Sequence, residues 1–219
     1  MIAELSAVPA PMLPETDDVP LNSKEPVPAL DVERWRSSDR VGHGYVLSLL
    51  TFTSGWLPLW RLRRVGELYE CPALVGCCLA VSKELYLKLL GFDPHMIEWG
   101  IEDVDLGLKA WLMGHGVLHN PHAVIAHRFR TGFTNFTVHG ESVVANEIRA
   151  ARKNFAEPLW REWKRRAEKR TPRTIWTKAW ALFQGRQPSA ERERDYLMAR
   201  RVHSEEWYAR RFGLRWPRS

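Results

Sequence analysis

The spacing of apolar and polar positions along this 219-residue chain changes period several times, and each change marks an element. Residues 1–30 hold six prolines, and their apolar residues follow neither helical nor strand spacing; they predict an irregular connector, with Met1–Leu5 as the remnant of a strand. Val41–Leu57 is rich in β-branched and aromatic residues and predicts one or two strands, ended by Pro58. Leu74–Val81 predicts a short buried strand interrupted by Gly76. Ser82 then caps a helix running to Leu90, with Gly91 as its stop. A second helix begins near Glu102, with Val104, Leu108, Trp111 and Leu112 on one face and Gly114 at its end. Gly116–Leu118 and Ala123–Ala126 predict strands around an Asn120-Pro121 turn. Glu141–Arg170 is helical in period, with Val144, Ile148, Phe155, Leu159 and Trp163 as its buried positions. A polar break at Gln184–Ser189 precedes a last helix from Ala190 to about Phe212, and there is no internal repeat.

Composition narrows the classes. With 45% hydrophobic and 26% charged residues, the chain has the balance of one ordinary globular domain. The three cysteines, Cys71, Cys77 and Cys78, lack the spacing of a zinc knuckle or a disulfide framework and read as small buried hydrophobes in a reducing compartment. The start shows no basic segment followed by an apolar stretch, and Tyr45–Trp60, 16 residues without a charge, is too short and too interrupted to span a bilayer. A cytoplasmic location is expected from this. The net charge of +6 is uneven: from Arg149 onward there are 20 Lys/Arg against 8 Asp/Glu, and before it 12 against 18. Such a tail could touch the inner face of an anionic membrane, but no nucleic-acid motif accompanies it, so a solvated helical surface is expected and nucleic acid is not.

Candidate chemistry lies between Cys71 and Arg130. Trp99-Gly100-Ile101-Glu102-Asp103 sets a large aromatic and a turn glycine just before two acidic residues at a helix start. The helix dipole and the free N–H groups there predict that these carboxylates stay ionised. A fixed, ionised carboxylate can serve as general base toward a hydroxyl, and the same residues can also serve simply as caps. Further on, His127 ends an apolar run and is followed by Arg128 and Arg130. Imidazole can ligate a divalent ion and guanidinium forks match phosphate oxygens, although a lone histidine at a strand end also has an ordinary structural reading.

As an ordered set, Cys71-Pro72-Ala73-Leu74-Val75-Gly76-Cys77, Gly91-Phe92-Asp93, Trp99-Gly100-Ile101-Glu102-Asp103 and His127-Arg128-Phe129-Arg130 resemble the C-terminal half of the polypeptide N-acetylgalactosaminyltransferases. The set is similar also to bacterial family-two glycosyltransferases and to the galactosyltransferase C-terminal domain. The likeness continues weakly through Asn146 and Arg149 to Trp207-Tyr208. It implies an α/β chain with a partial GT-A, Rossmann-like fold: a mixed sheet with flanking helices, then a helical C-terminal tail. The expected division is a proline-rich connector over 1–30, the acceptor-side half of the catalytic domain over 31–140, and a basic helical extension over 141–219.

The resemblance also implies roles. The backbone at Val75 and Gly76 borders the donor sugar, Trp99 walls its site, and Glu102 bonds its hydroxyls. His127 is the protein nitrogen on Mn2+ or Mg2+, and Arg130 grips the diphosphate. Asp103 stands where the retaining GalNAc-transferases carry Asn, and a Glu-Asp pair resembles inverting enzymes in which the aspartate deprotonates the acceptor. Cys77 stands in place of a second glycine, and Phe133 in place of a histidine that helps hold the diphosphate. The implied partners are a nucleotide-sugar donor, a UDP-sugar above all, and a hydroxyl-bearing acceptor, with bacterial envelope polysaccharide synthesis as the setting. The family's N-terminal half supplies the uridine pocket and an Asp-x-Asp or Asp-x-His element. Asp17-Asp18 has no apolar strand before it and is a poor substitute, so the chain alone is not expected to turn over a donor. Two other classes remain open: a non-catalytic subunit that keeps the fold, and a basic module for nucleic acid or membrane surfaces.

Overall fold

A computed structural model describes residues 2–9, 45–52, 54–56, 59–127 and 137–216. Its strands are β1 (Ile2–Pro9), β2 (Tyr45–Leu47), β3 (Ser54–Trp56), β4 (Arg63–Val65), β5 (Leu68–Glu70), β6 (Leu79–Val81) and β7 (Val117–His127). Its helices are α1 (Lys83–Lys88), α2 (Glu102–Leu112), α3 (Gly140–Asn154), α4 (Glu157–Arg170), α5 (Arg173–Gln184), α6 (Gln187–Arg200) and α7 (Glu205–Arg211). Five strands form one mixed sheet in the order β4-β5-β7-β1-β6, while β2 and β3 pair as a separate hairpin. Among the described residues only the β1–β7 pair is parallel.

The mixed α/β architecture agrees with expectation; several boundaries do not. Ile2–Pro9 is a strand between β7 and β6, longer than the remnant at Met1–Leu5 that the sequence suggests. The two short strands around Asn120-Pro121 are one strand, β7. Its pairing with β1 jumps from Leu5–Asn120 to Ala7–Ile125, so Asn120-Pro121 sits in a bulge rather than a turn. Proline has no N–H for the ladder, and a bulge is where a strand tolerates it. In the predicted strand 74–81 only Leu79–Val81 is extended and paired; the residues before it form a loop and turn.

Helix ends follow local chemistry. Ser82 caps α1, its Oγ accepting from the Leu85 N–H at 3.2 Å, and the chain leaves through Leu90 and Gly91, both at positive φ. The long helix expected over 141–170 is broken at Phe155-Ala156, because Pro158 falls in the first turn of α4 and cannot continue α3. Pro188 likewise lies in the first turn of α6, which two residues separate from the Gln184 end of α5, and Ser204 caps α7, so the last helix is also two.

One hydrophobic core joins these parts. Leu89, Leu106, Val117, Ile148, Phe155, Trp163 and Tyr208 are all fully buried within it, so the helices from Gly140 onward share a core with the sheet segment. Cys71 is buried as expected, but Cys77 is exposed and Cys78 only half-buried, because the turn after Gly76 faces outward. Helix α2 lies close against the Ala73–Leu74 backbone. A Cβ on Gly107 would come within 3.1 Å of the Leu74 nitrogen, so this approach depends on glycine. The Trp111 Nε1–H donates to the Cys71 carbonyl at 2.9 Å and the Tyr208 hydroxyl to the Pro72 carbonyl at 2.6 Å, which fixes the segment that leads to Gly76. Among the described residues no helix is long and apolar enough to cross a membrane.

Candidate active site

The N-terminus of α2 and the turn at Gly76 meet at one point. The Gly76 N–H donates to Asp103 Oδ2 at 2.8 Å, and the other carboxylate oxygen accepts from the Val104 N–H at 2.8 Å. A Cβ on residue 76 would lie 3.2 Å from Asp103 Oδ2, so glycine gives this carboxylate its room. Two motifs 27 positions apart are thereby joined. Val75 is half-buried beside Gly76, Glu102 is half-buried at the start of α2, and Trp99 is 49% exposed in the loop before it.

The electrostatics of Asp103 run opposite to the sequence expectation. Burial raises its pKa above the usual 3.8 and the neighbouring Glu102 adds to the rise, outweighing the hydrogen bonds from Val104 and Gly76. The helix-dipole argument for a firmly ionised carboxylate neglects this desolvation and the like charge next door. A carboxyl with a raised pKa, held by two N–H donors at a helix start, is suited to accepting a proton from a hydroxyl.

The loop before α2 is held by α3. Asn146 Oδ1 accepts from the Ile97 N–H at 2.8 Å, and its Nδ2 donates to the carbonyls of Ile97 at 2.9 Å and Gly100 at 3.1 Å. Glu98 accepts from the His139 N–H and meets His139 Nδ1, both at 2.7 Å. Those bonds lower the Glu98 pKa and raise that of His139.

Behind the loop lies a buried ionic cluster. Asp93 Oδ2 accepts from Arg149 Nε at 2.6 Å and also from Lys153. Lys153 reaches Asp105 at 3.0 Å and Glu193 at 3.1 Å, Lys109 reaches Asp105 at 3.0 Å, and Asn154 donates to Asp105 at 2.7 Å. Burial opposes ionisation of Asp93, yet Lys153 and Arg149 hold its carboxyl well below the usual range. Asp105 is likewise lowered, burial being outweighed by Lys109 and Lys153. Neither Asp93 nor Asp105 stood out in the sequence as a charged core residue; Asp93 closes the Gly91-Phe92-Asp93 motif, and Asp105 lies two positions past Asp103, in no motif.

Not every expected residue is brought to this point. His127 ends β7 with its backbone across from Pro9, and its side chain lies outside the described residues. Arg130 and Phe133 also lie outside them. Among the described residues no group of three or more His, Cys, Asp and Glu side chains is arranged to hold a metal ion.

Comparison with known proteins matches the motif-bearing segment. A family profile described as the N-terminal domain of galactosyltransferase covers residues 61–133. Human polypeptide N-acetylgalactosaminyltransferase 6 is 30% identical over 132 residues, which is 56% of this chain and 21% of that protein. The Drosophila melanogaster polypeptide N-acetylgalactosaminyltransferase 8 is 36% identical over 70 residues, 32% of this chain and 12% of that protein. A crystal structure of GalNAc-T7 with UDP, GalNAc and Mn2+ superposes with a TM-score of 0.54 at 18% identity, over 80% of this chain and 30% of that one.

The chain therefore has a GT-A-type fold, and its motif-bearing segment resembles the polypeptide N-acetylgalactosaminyltransferases. It spans 11% to 21% of the length of the first curated relatives it matches. These relatives are animal proteins and lend no support to a bacterial, family-two setting or to polysaccharide synthesis.

Proposed function

We propose that this protein transfers a sugar from a nucleotide-diphosphate donor, a UDP-sugar, to a hydroxyl acceptor, with Asp103 as the general base. The observation that carries the reading is the Asp103 carboxyl itself: fixed between the Gly76 and Val104 N–H groups, raised in pKa by burial, and lying within the segment that the galactosyltransferase profile matches. Ionised Asp103 takes the proton of the acceptor hydroxyl as its oxygen attacks the anomeric carbon, and the nucleoside diphosphate leaves with the bonding pair. Attack from the face opposite the leaving group inverts the anomeric centre. Val75 and Gly76 border the sugar, Trp99 offers its exposed ring as a wall, and Glu102 bonds sugar hydroxyls.

His127 is proposed as a nitrogen ligand for Mn2+ or Mg2+, and Arg130 as a diphosphate contact. A divalent ion, when bound, would neutralise charge on the leaving diphosphate. Among the described residues no group of three or more His, Cys, Asp and Glu side chains completes a donor set for that ion. His127→Ala is expected to raise the Mn2+ concentration needed for donor binding, as calorimetry would show. An unchanged requirement removes His127 from the metal site. We place the reaction in the cytoplasm, with the basic helices free to contact an anionic membrane face.

The test is a transfer assay on the protein expressed from its complete reading frame, with UDP-sugars, Mn2+ and a panel of hydroxyl acceptors. Glycoside formation matched by UDP release supports the proposal. Donor binding without transfer to any acceptor favours the non-catalytic reading, and absence of both overturns the assignment.

A further inference from the structure

The segment Ile97–Ile101 brings Trp99 to the surface and delivers Glu102 and Asp103 to the first turn of α2, on a backbone path that its own residues do not favour. Glu98, Gly100 and Ile101 have φ of 57°, 103° and 77°. For a β-branched residue such as Ile101 that region is an outlier, and it persists only where the surroundings over-determine it. Ile101 is also the N-cap position of α2; its carbonyl accepts from the Asp105 N–H at 2.8 Å, but no side-chain bond of the cap helps to fix the angle at which α2 begins.

The fixing groups come from α3. The Asn146 side chain, buried to 1% exposure, spends both ends of its amide on this segment: Oδ1 on the Ile97 N–H, Nδ2 on the carbonyls of Ile97 and Gly100. The Gly100 carbonyl belongs to the peptide leading into Ile101, so its orientation and the Ile101 φ are set together. His139, the N-cap residue of α3, holds Glu98 at a second point. Helix α3 is in turn tied to the core through Arg149 and Lys153, so the amide sits on a rigid support.

We propose that Asn146 is a positioning residue for Asp103: its amide enforces the left-handed path through Gly100 and Ile101 that seats the carboxylate against the Gly76 N–H. This role rests on Asp103 being the reactive group, while the coupling between Asn146 and the Asp103–Gly76 hydrogen bond is measurable in a protein without turnover.

Amide hydrogen exchange followed by NMR tests the coupling in Asn146→Ala, Asn146→Asp, and Asn146→Ala combined with Ile101→Gly. In Asn146→Ala the Gly76 amide should exchange at least roughly tenfold faster, while the core amides of Leu106 and Ile148 keep their protection. Asn146→Asp retains the acceptor for Ile97 but loses both donors, and should fall between. Glycine at 101 adopts a positive φ without penalty, so the double variant should regain Gly76 protection. Where the protein turns over, kcat should follow the same order, and donor KM should rise as kcat falls, because Trp99 and Glu102 ride on the same segment. A purely structural Asn146 would lower the unfolding midpoint and leave Gly76 exchange and kcat of the folded protein as they were, which overturns the proposal. Should Asn146→Ala fail to fold, unaltered Gly76 exchange in Asn146→Asp overturns it equally. Coupling of Gly76 to Asn146 in a protein that transfers no sugar upholds the clamp and removes the glycosyltransferase reading instead.

Discussion

Asp103 and Asp105 stand two residues apart in the first turn of α2, and the protein treats them in opposite ways. Asp105 is fully buried yet lowered in pKa, because Lys109 and Lys153 lie against it and Asn154 donates to it. Asp103 is less buried yet raised in pKa, because its partners are two neutral N–H groups and its nearest charge is Glu102. Both share the same helix dipole, so the dipole cannot be what separates them. The difference lies in where the cations are. Helix α3 supplies Arg149 and Lys153 to the buried carboxylates of Asp93 and Asp105, and the Asn146 amide to the loop at the outer end of α2. The inner region is built for cohesion; the outer one keeps a carboxylate able to change its protonation state.

The contrast can be broken from the inner side first. Lys153→Met strands Asp93 and Asp105 without their shared cation, and should lower stability by about 3–5 kcal/mol in urea unfolding. A loss under about 1 kcal/mol would mean that Lys109 and Arg149 suffice, and that the cluster is less cooperative than its geometry suggests. Acid acts on the same groups. Asp93 and Asp105 have folded-state pKa values below the 3.8 of the unfolded chain, so the stability they contribute is complete above that pH and lost progressively as pH falls beneath it. Asp103 has the opposite sign: its contribution is present below 3.8 and lost as pH rises through its folded pKa. Thermal unfolding as a function of pH should therefore show an acid loss that shrinks in Asp93→Asn and persists in Asp103→Asn.

Two milder changes sharpen the outer side. Gly76→Ala places a methyl 3.2 Å from Asp103 Oδ2, and the carboxylate must give by a few tenths of an ångström. Turnover is expected to drop about tenfold, the scale of one displaced hydrogen bond, with the fold intact by circular dichroism. Smallest of all is the stability change in Asp103→Asn, expected within about 1 kcal/mol at neutral pH, because the substitution removes an ionisation that burial already opposes. A large loss in urea unfolding would make Asp103 a structural cap after all.

Much of this was legible in the sequence where the signal is local. Ser82 and Gly91 bracket α1, Gly114 follows α2, and the apolar face of Val104, Leu108, Trp111 and Leu112 is buried. The helix break at Phe155-Ala156 carried a local signal too, Pro158, but the hydrophobic period runs through it without a gap and hides it. Strand β7 was misread because Asn120-Pro121 signals a turn, and only pairing with the distant β1 turns it into a bulge. The hydrogen bond between Gly76 and Asp103 is not legible in the sequence: the resemblance implies only that Gly76 borders the donor sugar and that Asp103 is the base, and no periodicity links positions 27 apart. The Asn146 clamp is less visible still: a side-chain amide bonding to main-chain groups dozens of positions away leaves no pattern in either stretch. The sign of the Asp103 shift was missed because burial, which decides it, is a property of the folded chain.

The central claim is that Asp103 is a proton acceptor in sugar transfer, and kinetics of Asp103→Asn on the protein from the complete reading frame test it most directly. The amide keeps the shape and one acceptor oxygen but cannot take a proton. Turnover should fall by about 100- to 10,000-fold while calorimetric binding of the UDP-sugar with Mn2+ is retained. Turnover near the wild-type rate, with donor binding unchanged, would contradict the account.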